Sequence, residues 1–220
     1  MKDRVFTKSV AAGIILAFAG GGLDAYTYIC RGGVFSSMQT GNILKFGISV
    51  AEGDFIGCSR FVLPIISFVL GVVFCEIISR GKNSKYFKQF CVFLEMLVFS
   101  AVAFIPKGNL DNLANCVISF VTAMQFNCFR KLDSLAVATT MCTGNLRSFS
   151  EMLTKVLVEK KAVHLKNATK YFLIIMSFFL GAVTAAFAEK FIGLYSISVS
   201  AVSLFIFLIY YSAAKLQNEF

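Results

Sequence analysis

The feature that most narrows what this chain can become is a polar nine-residue segment that occurs twice. Val34-Phe-Ser-Ser-Met-Gln-Thr-Gly-Asn42 returns as Val137-Ala-Thr-Thr-Met-Cys-Thr-Gly-Asn145, at an offset of 103. Both copies end in Thr-Gly-Asn, place Met two residues before the Thr and set two small hydroxyl residues ahead of the Met. The correspondence extends outward. Asp24 precedes Asn42 by the same 18 residues that separate Asn127 from Asn145, Tyr26 falls opposite Phe129, and Gly20 falls opposite Ala123. Further on, Ser67-Phe-Val-Leu-Gly71 returns as Ser177-Phe-Phe-Leu-Gly181, now at an offset of 110. Two copies of one polar segment need two copies of a scaffold, which is either a solenoid unit or a duplicated membrane unit.

Composition decides between them. The 220 residues are 57% hydrophobic and 15% charged, with 25 Phe and a mean hydropathy of +0.76, which belongs to the membrane class. A single polytopic membrane domain, with repeat units over 5–106 and 108–214, is expected. The seven cysteines are odd in number, scattered, and never in a Cys-x-x-Cys pair, which argues against a disulfide framework and a zinc site. The one histidine, His164, sits in a Lys-rich stretch and reads as a solvated loop residue. A formal charge of +9 raises nucleic acid as a partner, but basic residues placed between apolar spans report membrane orientation more simply, so no nucleic acid is expected.

Taken in order, the first apolar run is Val10 to Cys30, interrupted only by Asp24 and long enough to span at about 1.5 Å per residue. Its basic start resembles a cleavable signal, yet cleavage would sever the run that the repeat duplicates. The first Thr-Gly-Asn segment follows and ends in a loop at Glu52, Gly53 and Asp54. Further spans are read at Phe61 to Ser79, Phe90 to Ile105, Leu113 to Phe129, Tyr171 to Ala188 and Phe191 to Ala214. The fold expected is an all-α integral membrane protein of six transmembrane helices, arranged as two inverted three-helix repeats.

Charge offers an independent check on inversion. With the N-terminus cytoplasmic, 16 of 21 basic residues fall inside, and only Arg31, Lys45, Arg60, Lys107 and Lys190 fall outside. That bias agrees with six spans and with both termini cytoplasmic.

In an inverted arrangement the two polar segments enter from opposite faces, and non-helical backbone at that depth survives only inside protein or along a wet cavity. A helix restarting near Thr40 or Gly41, and its copy restarting at Thr143 or Gly144, would be capped by Thr or Asn and would aim positive N-terminal ends at one central point. Thr40, Gly41, Asn42, Thr143, Gly144 and Asn145 are therefore candidates for a solute path. Their bland alternative is to cap two buried half-helices. Asp24 shares a helical stripe with Gly20, Gly21, Thr27 and Tyr28, and an ionisable group inside a span is a functional candidate by default. Its expected partners are Asn127, Asn42 and Asn145; a structural hydrogen bond is the alternative. Tyr28, Gln125, Glu76 and Glu95 are secondary candidates, with Glu76 able to snorkel toward the Arg80 end.

The stretch from Gly22 through Asp24 and Tyr28 to Phe35, the Gln39-Thr-Gly-Asn42 motif, Met124-Gln-Phe-Asn-Cys-Phe-Arg-Lys-Leu132 and Ala138 through Asn145 to Ser148 resemble the YoaK family. The resemblance covers nearly the whole chain. It implies a bacterial inner-membrane protein of about six helices and carries over no catalytic residues.

The functional expectation is a small-solute channel or secondary transporter, its solute unknown, with Asp24 supplying proton coupling or substrate contact. The alternative is a non-transporting membrane scaffold or assembly partner. An enzyme is not expected, because there is no paired-acid metal motif, no Ser/His or Cys/His set and no phosphate loop after a strand. No cofactor or metal is implied; the expected partners are the lipid bilayer and a small solute, and homo-oligomerisation is left open.

Overall fold

The computed structural model describes residues 10–80, 84–129, 131–132, 135–136, 139 and 142–216. The basic residues Lys2, Arg4, Lys8, Lys82 and Arg130, and Val137, Ala138, Thr140 and Met141 of the second polar segment, lie outside the described residues.

Helix α1, Val10–Cys30, ends where its apolar run ends, at Cys30, and it carries Ala12, Gly13, Ala17, Ala19, Gly20, Gly21 and Gly22, all buried. Small side chains let neighbouring backbones come close, which is how helices associate when lipid removes the hydrophobic drive between them. Helix α2, Gln39–Glu52, starts where the Thr-Gly-Asn motif predicts. Gly53, at φ 69°, caps it by donating its N–H toward Ser49 and Val50. Asp54 then caps helix α3, Phe55–Arg80, by accepting the Gly57 N–H at 2.9 Å, so this helix begins six residues before the apolar run suggests. Helices α4, Ser84–Val102, and α5, Asp111–Cys128, follow. Between α5 and helix α6, Cys142–Glu159, there is a two-residue antiparallel ladder, Lys131–Leu132 with Leu135–Ala136. It is the one exception to the all-α expectation among the described residues.

Helix α7, Ala162–Ile192, starts nine residues before the expected Tyr171, since nothing in the Lys-rich stretch breaks a helix. His164 is therefore on its first turn, not in a loop, with Nε2 3.0 Å from Glu159. Hydrogen bonds from Lys161 and then from His164 hold the exposed Glu159 carboxyl down at about 2. A 3-10 turn, Gly193–Ile197, delays helix α8, Ser198–Leu216, beyond the expected start at Phe191.

The packing has a regular pattern. The most extensive contacts are α1 with α7 and α3 with α5, followed by α6 with α7, α2 with α3, α4 with α8, α1 with α8 and α4 with α5. Exchanging α1 with α5, α2 with α6, α3 with α7 and α4 with α8 maps this set onto itself. The repeated glycines sit at equivalent crossings: a methyl group at Gly181 would lie 2.0 Å from Phe18 O, and one at Gly71 would lie 2.3 Å from Phe120 O.

Helix directions follow from named contacts. Ser177 Oγ donates to Ile14 O at 2.7 Å while Gly181 abuts Phe18, so α7 runs parallel to α1. Ser200 and Ser203 donate to Ala19 O and Ile15 O at 2.8 and 2.9 Å, so α8 runs antiparallel to α1. Arg31, just past the end of α1, meets Asp111 at the start of α5, so α5 opposes α1. Leu16, Leu23, Phe99, Ile118, Leu204 and Phe207 form the fully buried centre between them.

The outer surface is apolar. Along α3, Leu63, Ile66, Val69, Leu70, Val73, Phe74 and Ile77 are all exposed, far more than a water-facing helix tolerates. Three stretches are long and apolar enough to cross a membrane: Val10–Cys30, Phe55–Ser79 and Ala162–Ala213, the last of 52 residues holding α7, the 3-10 turn and α8. Helices α4 and α5 fall outside that criterion. Their polar residues, Glu95, Asn115, Ser119, Thr122 and Gln125 among them, are buried against other helices.

Candidate functional site

After Cys30 the chain turns back along α1. Ser36 N lies 3.4 Å from Thr27 Oγ1, and Ser37 donates twice to Asp24, from its N–H to Oδ1 at 3.1 Å and from its hydroxyl to Oδ2 at 2.6 Å. Residue 37 is thus level with residue 24, almost two helical turns back from the end of α1. Helix α2 then runs outward again, and the Lys45 ammonium returns to the Gly33 carbonyl and lies over the Tyr28 ring at 4.6 Å.

Asp24 is 4% exposed. No ion pair to it occurs among the described residues; its carboxylate is held by Ser37, a hydroxyl residue of the repeated segment, and not by Asn42. Asn42 is occupied elsewhere. Its Oδ1 accepts Phe35 N–H at 3.0 Å, and its Nδ2 donates to Phe35 O at 2.6 Å and Gln39 Oε1 at 2.9 Å. The asparagine therefore closes the turn that presents Ser36 and Ser37.

The second unit reaches this site from two directions. Helix α5 supplies Asn115, which donates to Arg31 O at 2.9 Å, and Ser119, which donates to Ser36 O at 2.9 Å. Cys142, the first residue of α6, lies within electrostatic reach of Asp24. Asp24 also lines a groove of about 440 Å3 between α1 and α7 with Gly21, Tyr28, Met38 and Phe178.

The remaining candidates are distributed as follows. Asn145 is buried and Asn127 half-buried, whereas Thr40, Thr143 and Gly144 are exposed and Gly41 packs against the Phe35 ring. Tyr28 is half exposed and stacks on Phe35 at 5.1 Å. Glu76 is half-buried on α3. Glu95 of α4 is fully buried against Thr122 of α5, and Glu95 Oε2, Thr122 Oγ1 and Gln125 Nε2 have no hydrogen-bond partner among the described residues.

Sequence reasoning missed Ser36, Ser37, Asn115, Ser119 and Arg31. The hydroxyl pair in both copies of the repeat was a usable signal for the two serines. Arg31 was expected outside as a loop charge. It is completely buried, because its five N–H groups find acceptors in Tyr26, Val102, Ile105, Pro106 and Asp111.

No solved structure matches this chain. A relative from Bacillus subtilis (strain 168), described as the UPF0700 transmembrane protein YoaK, is 24% identical over 187 residues, covering 80% of this chain and 81% of its own. The model of a family described as a protein of unknown function, DUF1275, matches residues 12–210. With a matched family model over nearly its whole length and a relative that is itself a transmembrane protein, this chain is a membrane protein of the DUF1275, or YoaK, family.

Proposed function

We propose that the protein is a small-solute transporter or channel of the bacterial inner membrane, in which Asp24 couples a proton or contacts the solute where the two polar segments meet. The observation that carries this reading is the buried Asp24 carboxylate, held by Ser37 of the first segment. An ionised Asp24 accepts both Ser37 hydrogen bonds. Protonation turns one oxygen into a donor, so the Ser37 hydroxyl must reorient or let go, and the charge on α1 is thereby linked to the docking of the first segment.

The packing supports a six-span, inverted arrangement in which α2 and α6 are re-entrant helices. Helix α5 opposes α1, the third helix of each unit packs on the other unit's first (α7 on α1, α3 on α5), and the turn of residues 31–38 lies alongside α1.

A test uses a cysteine-free background carrying Thr40→Cys or Thr143→Cys, labelled with an impermeant maleimide in right-side-out and inverted vesicles. Transport predicts that Cys at 40 labels from outside and Cys at 143 from the cytoplasm, with Asp24→Asn changing the ratio of the two. If neither labels until the protein is denatured, the centre is dry and transport is wrong.

A scaffold reading has its own supporting observation. The Asn42 amide is fully engaged within its own turn, which is what a fold-locking residue requires. A dry centre in the labelling test would favour it.

A further inference from the structure

Three cysteines that lie far apart in sequence come together. Cys75 of α3, Cys91 of α4 and Cys128, the last residue of α5, place their sulfurs within 4.8 Å of one another. Cys128 Sγ is 3.7 Å from Cys91 Sγ and 3.8 Å from Cys75 Sγ. Cys75 and Cys91 are almost wholly buried, Cys128 is half-buried, and Met124, Phe87, Leu94 and Phe120 pack around them. We infer that this is a binding site for a soft monovalent d10 cation, of which Cu(I) is the type, ligated by the thiolates of Cys75, Cys91 and Cys128.

Geometry comes first. Sulfurs about 2.3 Å from a shared ion stand about 3.8 Å apart when tetrahedral and about 4.0 Å apart in a trigonal plane. The two shorter separations already have this size, so closing the site around an ion needs side-chain rotation without movement of the helices. A disulfide needs about 2.05 Å between two of the sulfurs and would leave the third unpaired.

The donor set selects the ion. Thiolates are soft ligands that favour Cu(I) or Zn over Mg, Ca or Mn. Structural Zn takes a fourth ligand to complete a tetrahedron, and among the described residues no imidazole or carboxylate joins these three sulfurs. Cu(I) is satisfied by three. Three thiolates and one monovalent cation leave a net charge of −2 at the site, and the Lys88 ammonium, over the Phe129 ring at 5.3 Å and within electrostatic reach of Cys128, offsets part of it. Each thiol that ligates gives up its proton, so loading the site releases protons to solvent.

The competing view treats the cysteines as small apolar fillers at a three-helix crossing, with Cys75 donating weakly to Met124 O at 3.7 Å. Filler residues have no need to converge sulfur on sulfur. Cys30, Cys58, Cys116 and Cys142 take no part in the cluster. The inference is independent of transport through the Asp24 region.

The experiment uses the full-length protein, purified in detergent and reduced under anaerobic conditions, with Cu(I) titrated against a chromogenic Cu(I) chelator. One equivalent per chain should be withheld from the chelator. Cys75→Ser, Cys91→Ser and Cys128→Ser should each weaken it by on the order of 100-fold, whereas Cys58→Ser and Cys116→Ser leave it unchanged. X-ray absorption of the unsubstituted protein at one equivalent keeps the idea testable even if a serine variant misfolds. Three sulfurs at about 2.3 Å are expected. A nitrogen or oxygen shell, or equal losses in the Cys58 and Cys116 variants, overturns the site.

Discussion

Arg31 and Asp111, 80 residues apart in the chain, meet at 2.8 Å between the end of α1 and the start of α5. The same guanidinium donates to the carbonyls of Val102, at the end of α4, and of Ile105 and Pro106 just past it, and to the Tyr26 hydroxyl. One side chain thus ties both units together at one end of the bundle. A buried arginine is tolerable here because all five donors are used, with a carboxylate among the acceptors.

Removing Arg31 takes a donor from three carbonyls, the Tyr26 hydroxyl and a carboxylate, of which Val102 O keeps the Ile105 N–H and Asp111 Oδ2 keeps the Gly108 N–H. Arg31→Met is expected to cost roughly 3–5 kcal/mol. Asp111→Asn, whose side chain is partly exposed and can hydrate, should cost only about 1–2 kcal/mol. Arg31→Lys should not restore stability, since an ammonium cannot fill the planar fork. Thermal unfolding in detergent reads all three, and an Arg31→Met protein as stable as the parent would show that the cluster does not hold the units together.

The equivalent glycine crossings make a paired prediction. Alanine at Gly71 or Gly181 meets a backbone carbonyl well inside contact distance, so each is expected to lose about 1–3 kcal/mol as the helices are forced apart. Gly47→Ala, in α2 with open space around it, should instead stabilise by about 0.5–1 kcal/mol. Similar melting temperatures for all three variants would mean that the α1/α7 and α3/α5 crossings are not tightly packed.

Asn42 separates folding from flux. Asn42→Ala releases both backbone groups of Phe35 and the Gln39 side-chain oxygen Oε1, and a cost of about 2–3 kcal/mol is expected in a thermal melt. Asp24→Asn keeps the shape and one acceptor for Ser37, so its cost should be smaller, about 1 kcal/mol. In maleimide labelling of residue 40, Asn42→Ala should expose the site from both faces, while Asp24→Asn should change only the balance between them. If Asp24→Asn unfolds the protein and Asn42→Ala does not, their roles are reversed.

Much of the architecture was legible before any coordinate. The apolar helix that ends at Cys30, the helix restart at the Thr-Gly-Asn motif and the break at Glu52 to Asp54 all follow from local causes: apolar run length and turn and capping residues. Such signals are carried by neighbours in the chain and need no knowledge of what packs where. The exposed or buried fate of a charge is different. Arg31 read as a loop cation, yet its five acceptors come from residues 26 to 111 and become a binding cup only when α4 and α5 close over it. Asp24 found Ser37 in place of an asparagine because the turn after α1 returns at a depth that helical spacing alone does not set. The three sulfurs of Cys75, Cys91 and Cys128 converge only through the crossing of α3, α4 and α5. Sequence by itself determined that the chain is built of apolar helices and where several of them break, since backbone preference and hydropathy are local. Tertiary structure alone decided which polar groups meet, because a buried polar group is stabilised by whichever partner the packing brings within hydrogen-bond distance.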